Sequence, residues 1–218
     1  GALASKADDR DAIDSAVIAA LKDAHALQAY RETNFVPFDP VSKRTQATVA
    51  DAQGTTFTVA KGAPQAIIAL AQPAPDVTAR VEKAVADLAE RGYRALAVAR
   101  SDDGGTTWAF LGILPMFDPP RDDSRATIEQ AESKGVRIKM VTGDDTAIAR
   151  ETARQLGLGT NILPAAEIFP PHMDPNDVPP RIADAIEAAD GFARVFPEHK
   201  YAIVKALQER GHLVAPDR

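Results

Sequence analysis

No cysteine occurs in the 218 residues of this chain, so it has neither a disulfide framework nor a thiolate metal site. No apolar run approaches the ~20 residues that a helix needs to cross a bilayer. No secretory signal opens the chain, and the piece is expected to be soluble by itself. Basic residues form no run and the net charge is −6, which argues against nucleic acid as a partner. What is there is a mixed-charge chain, 45% apolar, long enough for one large or two small domains.

The second half is organised around Val136 to Leu158. Val136 to Val141 is too short for a helix and rich in β-branched residues, which reads as a buried parallel strand. Thr142-Gly143-Asp144-Asp145 are turn and cap formers. A helix follows from Thr146 to Leu156, with Gly157 as its C′ residue. Thr142 therefore stands at the carboxyl end of a strand, where open α/β sheets bind ligands. Its hydroxyl and the amides of Gly143 and Asp144 suit a phosphate. An ordinary capped turn would have the same composition.

In the first half, Asp8 to Ala24 reads as a helix. Arg31 to Phe38 reads as a strand, and Thr45 to Val49 and Thr55 to Val59 as a hairpin around Asp51 to Gly54. Pro64 opens a short helix, Val77 to Arg91 a longer one. Tyr93 to Arg100 and Trp108 to Leu114 are further strands. Strands with helices set between them suggest an antiparallel sheet with helices packed on it. Phe38, at a strand end with Lys43 and Arg44 behind it, suits base stacking beside phosphate cations. A core aromatic and a solvated loop would read the same way. Lys61, before Gly62 at a strand end, is expected at the mouth of that pocket with its amine open to solvent.

Pro115 to Asp123 lacks either period and reads as a domain boundary. Asp122 to Lys134 is a helix, Asn161 to Pro180 a Pro-rich irregular insertion, Ile182 to Ala189 a helix, and Phe192 to Phe196 a strand. Pro197 to Arg210 is a helix carrying Lys200 in its first turn, and His212 to Ala215 starts another strand. Alternating helix and strand implies a parallel sheet. Lys200 and Thr142, each following a strand, suit one shared phosphate; a solvated surface Lys is equally compatible.

The segments DAID, FVPFDPVSKRT, KGAP, ERGYRALAVAR, FDPPRDDS, MVTGDD, LGLGTNI and FPEHKYAIVKALQERGH occur in this order. Together they resemble the cytoplasmic part of a P-type ATPase, closest to the plasma-membrane proton pumps. The resemblance implies an α/β chain. Residues 1–114 would be an α+β nucleotide-binding domain with an antiparallel sheet. Residues 115–218 would be an incomplete haloacid-dehalogenase-like, Rossmann-like phosphorylation domain with a parallel sheet. It implies that Phe38 stacks on adenine, that Lys43 and Lys61 line the nucleotide pocket, and that Arg94 reaches the phosphates. Asp118 and Arg121 match the hinge motif near the nucleotide. Thr142, Gly143 and Asp144 match the motif at the transferred phosphoryl group, and Lys200 the lysine that neutralises its charge.

ATP and magnesium are the implied cofactors. The implied partners are an actuator domain and membrane helices of a parent pump, with the fragment on the cytoplasmic face of the plasma membrane. The family's phosphorylated Asp-Lys-Thr-Gly-Thr segment does not occur, nor does its Gly-Asp-Gly-Val-Asn-Asp segment, which supplies a magnesium carboxylate. The chain therefore reads as a piece of a pump cut at both ends, or a degenerate copy. The alternatives are a soluble haloacid-dehalogenase-like phosphatase and a nucleotide-binding module without chemistry. In the implied sheet, Phe192 to Phe196 lies beside Val136 to Val141, and His212 to Ala215 is expected to hang loose.

Overall fold

The computed structural model describes residues 1–6 and 11–215. It divides into two compact units, Gly1–Leu88 with Tyr93–Phe117, and Ala89–Gly92 with Asp118–Arg218.

The first unit is built on five antiparallel strands in sequence order. They are β1 (Arg31–Asp39), β2 (Arg44–Ala50), β3 (Thr56–Gly62), β4 (Arg94–Ser101) and β5 (Ala109–Met116). Three helices accompany them, α1 (Ala12–Ala19), α2 (Pro64–Ala71) and α3 (Pro75–Ala89). Strand alternation gives the sheet two unlike faces. Ala47, Val49, Phe57 and Val59 pack with Ala4 on one face. Ala60, Ala97 and Ala99 pack with Ile67 of α2 on the other.

Expected and observed elements differ at α1. Asp11 caps it, accepting from the N–H groups of Ile13 (2.8 Å) and Asp14 (3.0 Å). The helix therefore starts at Ala12 and has ended before Leu21. Asp8 and Asp9 lie outside the described residues.

The second unit holds a three-stranded parallel sheet in the order β6 (Met140–Val141), β8 (Gly191–Ala193), β7 (Ile162–Pro164). Around it lie α4 (Ser124–Ser133), α5 (Thr146–Leu156), α6 (Ala165–Ile168), α7 (Pro180–Ala188) and α8 (Pro197–Glu209). The core centres on Phe192, which packs with Phe169, Ile186, Ile203 and Leu207. Gly191 is required here, because an added Cβ would lie 2.3 Å from the Met140 carbonyl oxygen.

Four expectations need correction. The strand expected over Val136 to Val141 is confined to Met140–Val141, because it can pair only where the short β8 runs alongside. For the same reason the strand expected from Phe192 to Phe196 covers only Gly191–Ala193. The stretch expected to be irregular from Asn161 to Pro180 contains β7 and α6, the former completing the ladder on β8. His212 to Ala215 forms no strand; Leu213 is exposed and Val214 only leans on the core. No helix among the described residues is long and apolar enough to cross a membrane.

Candidate functional site

In the second unit Thr142, Gly143 and Asp144 stand just past the carboxyl end of β6, and Lys200 on the helix that follows β8. The Thr142 N–H donates to the Phe192 carbonyl (3.0 Å), and the Val195 N–H to the Thr142 carbonyl (3.0 Å). The ladder thus carries Thr142 just past β6. The Thr142 hydroxyl donates to the Asp144 carboxylate (3.0 Å) and accepts from the Asp144 N–H (3.1 Å). Gly143 stands exposed at the apex. Asp145 caps α5 by accepting from the Ala147 N–H (3.0 Å).

Arg194 was not foreseen. It has a φ of +54° and its N–H donates to the Asp144 carbonyl (2.9 Å). Its guanidinium pairs with the Asp145 carboxylate. Partial burial pushes the Asp145 carboxyl up, but Arg194 and the Ala147 N–H outweigh it and leave the carboxyl below its ordinary value. Lys200 lies in the first turn of α8, where its N–H donates to the Phe196 carbonyl (3.2 Å). Its side chain is exposed. Because β6 and β8 are parallel neighbours, Thr142 and Lys200 both follow strands that end on the same edge. A strand-to-helix turn of this kind, with the exposed Gly143 at its apex and an ammonium on the helix after the neighbouring strand, suits an anion.

In the first unit Lys61 departs from expectation. Its side chain is 3% exposed and its ammonium pairs with Asp14. The ammonium also donates to Ser5 Oγ (2.6 Å). Asp14 accepts in addition from the Lys6 N–H (2.8 Å). The cause is the place of Lys61 within β3, between β2 and β4, on the face covered by the N-terminal segment. No local pattern marks this pairing, since Asp14 is 47 residues away. The neighbouring Gly62 is needed because a Cβ there would lie 2.3 Å from the Lys43 carbonyl oxygen.

Lys43 sits in the β1–β2 turn with a φ of +52°, and its side chain is exposed. Phe38 is 61% exposed. Lys61 pairs across the ladder with Val98. Alternation along β4 then sets Leu96 and Arg94 on that same face. Phe38 and Lys43 thus lie at a hairpin end, and Lys61 and Arg94 on one side of the sheet. Asp118 and Arg121 are exposed in the segment after β5, where Arg121 lies 4.0 Å from Asp123.

The described residues contain no group of three or more His, Asp or Glu side chains fit to hold a metal ion. Asp144 alone does not make a magnesium site, which takes carboxylates together with phosphate and water oxygens. A sequence model for a hydrolase family, the haloacid dehalogenase-like hydrolases, matches residues 10–215.

Proposed function

Because the chain belongs to the haloacid dehalogenase-like hydrolase family, we propose that it is the nucleotide-binding part and a portion of the phosphorylation part of a P-type cation pump. Its motifs resemble those of plasma-membrane proton pumps, so the ion in this reading is the proton. The observation that carries this reading is the arrangement of Thr142 to Asp144 and Lys200 after adjacent parallel strands. The ordered motifs of the first half stand beside it.

Phosphoryl transfer depends on positioned charge more than on protein covalent chemistry. In this reading the Gly143 N–H and the Thr142 hydroxyl donate to the phosphoryl oxygens, and the Lys200 ammonium neutralises them. To do so the Thr142 hydroxyl gives up its bond to Asp144. In the first unit Phe38 stacks on the adenine, and Lys43 and Arg94 meet the phosphates. Lys61 acts beneath them by fixing Asp14. The sequence carries no Asp-Lys-Thr-Gly-Thr, so the chain is assigned nucleotide binding without formation of an acyl phosphate.

Calorimetric titration with ATP tests the reading. Stacking on an aromatic contributes about 1–3 kcal/mol, so Phe38→Ala should weaken binding about 5- to 150-fold. Unchanged affinity in a folded Phe38→Ala protein would sink it. Turnover of p-nitrophenyl phosphate without ATP binding would favour the soluble phosphatase reading, which the family match accommodates equally.

A further inference from the structure

The face of the five-stranded sheet opposite Lys61 holds a cavity of about 290 Å³. The ladder between β2 and β3 runs without a break, with Gln46 against Ala60 and Thr48 against Thr58. Arg44, Gln46 and Thr48 therefore point to this one face, while Thr45 and Lys61 point to the other. Val36, Leu70 and Trp108 supply the apolar part of the wall. The Trp108 indole is fixed, its Nε1 donating to the Gly105 carbonyl (3.0 Å). The turn before it is tied to Asp103, which accepts from the N–H groups of Thr106 (3.0 Å) and Thr107 (2.9 Å).

Among the described residues Arg44 is the one cationic residue lining the cavity, and neither Asp nor Glu lines it. The Arg44 Nε is withdrawn from solvent and has no hydrogen-bond partner. Native structures seldom leave a buried donor in that state without a reason. The nearby Asp39 does not satisfy it. The Asp39 carboxylate is engaged by the N–H groups of Ser42 (2.7 Å) and Val41 (3.3 Å). Those bonds hold its carboxyl below the ordinary value, and the charge of Arg44 adds to the effect.

We propose that this cavity binds a small organic monocarboxylate with an apolar or aromatic body. The carboxylate would pair with the Arg44 guanidinium and the body would lie along Trp108. An arginine edge matches a carboxylate through two parallel N–H bonds, one of them from Nε. Using that edge requires the guanidinium to swing toward the cavity, and no hydrogen bond at Nε opposes the motion. A phosphate dianion suits the place poorly, since it would meet a single cation with Asp39 close by. The site lies on the opposite face from Lys61 and Arg94, so it does not depend on the nucleotide reading.

Trp108 is the only tryptophan of the chain and reports on the cavity directly. Titration of the whole chain with benzoate should give a saturable change in its fluorescence. Arg44→Lys keeps the charge but loses the planar fork, and should bind benzoate about tenfold more weakly or worse. Val36→Phe, on the exposed edge strand β1, should obstruct the cavity with Arg44 left in place and weaken benzoate by a similar factor. The proposal is overturned if benzoate gives no saturable change, or if folded Arg44→Lys and Val36→Phe both bind like the parent chain. It is equally overturned if benzyl alcohol or inorganic phosphate binds as well as benzoate.

Discussion

The Lys61 ammonium and the Asp14 carboxylate form a buried ion pair across 47 residues of sequence. Each is kept from water by the other's segment, so neither tolerates loss of its partner. Removing one member of a buried pair strands a charge and typically costs about 3–5 kcal/mol, whereas replacing both with apolar groups can be neutral. Asp14→Asn is therefore expected to lower the urea midpoint of the first unit strongly. Asp14→Leu combined with Lys61→Met should recover much of that loss. Additive losses in the double variant would show that the pair is not a unit.

Gly62 lies where the Lys43 carbonyl passes, with 2.3 Å left for a Cβ. The neighbour is backbone and cannot turn aside. Gly62→Ala is expected to lower stability by about 1–3 kcal/mol, the usual range for forced overpacking. Thermal unfolding of the purified variant measures this, and a melting temperature equal to the parent's would contradict it.

Glu187 accepts from Arg210 (2.7 Å) and contacts His212 (2.8 Å). The Arg210 hydrogen bond, followed by that of His212, draws its carboxyl down from 4.5 to about 2. A carboxyl lowered in the folded state contributes fully above its ordinary value, and the contribution is lost as pH falls through the folded value. The second unit should therefore lose stability as pH falls from 4.5 toward about 2. Glu187→Gln should flatten that decline without abolishing it, because Glu151 in the same unit is lowered to about 2 as well. Urea midpoints across the acid range decide this; a profile unchanged in Glu187→Gln would refute it.

Hydrogen exchange should separate the end of the chain from the sheet. The Met140 N–H donates to the Asp190 carbonyl (3.1 Å) and the Thr142 N–H to that of Phe192 (3.0 Å). Leu213 is fully exposed. Exchange at Leu213 is expected to be fast and at Met140 and Thr142 slow. Equal protection at all three would mean that the terminal stretch joins the sheet in solution.

What the sequence revealed depended on how local the cause was. The helix from Thr146 to Leu156 was legible with its bounds, because Asp145 caps one end and Gly157, at a φ of +78°, closes the other. The places of the strands in the first unit, and the hairpin of β2 with β3, were legible from alternation and turns. The length of β6 was not, since β8 sets it from fifty-one positions onward, at Met140 against Gly191. β7 escaped notice because Ile162 to Pro164 is too short to show a period. In the candidate site, Thr142, Gly143, Asp144 and Lys200 were marked by their place after strands. Arg194 was not, because its role comes from an unusual backbone angle that its residue type does not announce. Lys61 stands at the end of the expected strand, but its burial is not legible there, because its cover comes from the far N-terminal segment.

The strand order β6-β8-β7 has a consequence for the growing polypeptide. The middle strand of that sheet is the last of the three to be synthesised. Until Gly191 to Ala193 leave the ribosome, Met140–Val141 and Ile162–Pro164 lack the strand that joins them in this sheet. The meander of the first unit has no such delay, because each of its strands pairs with the one made just before it, closing short loops first. During translation the first sheet can assemble stepwise, while β6 and β7 are joined only once β8 and Phe192 have been made.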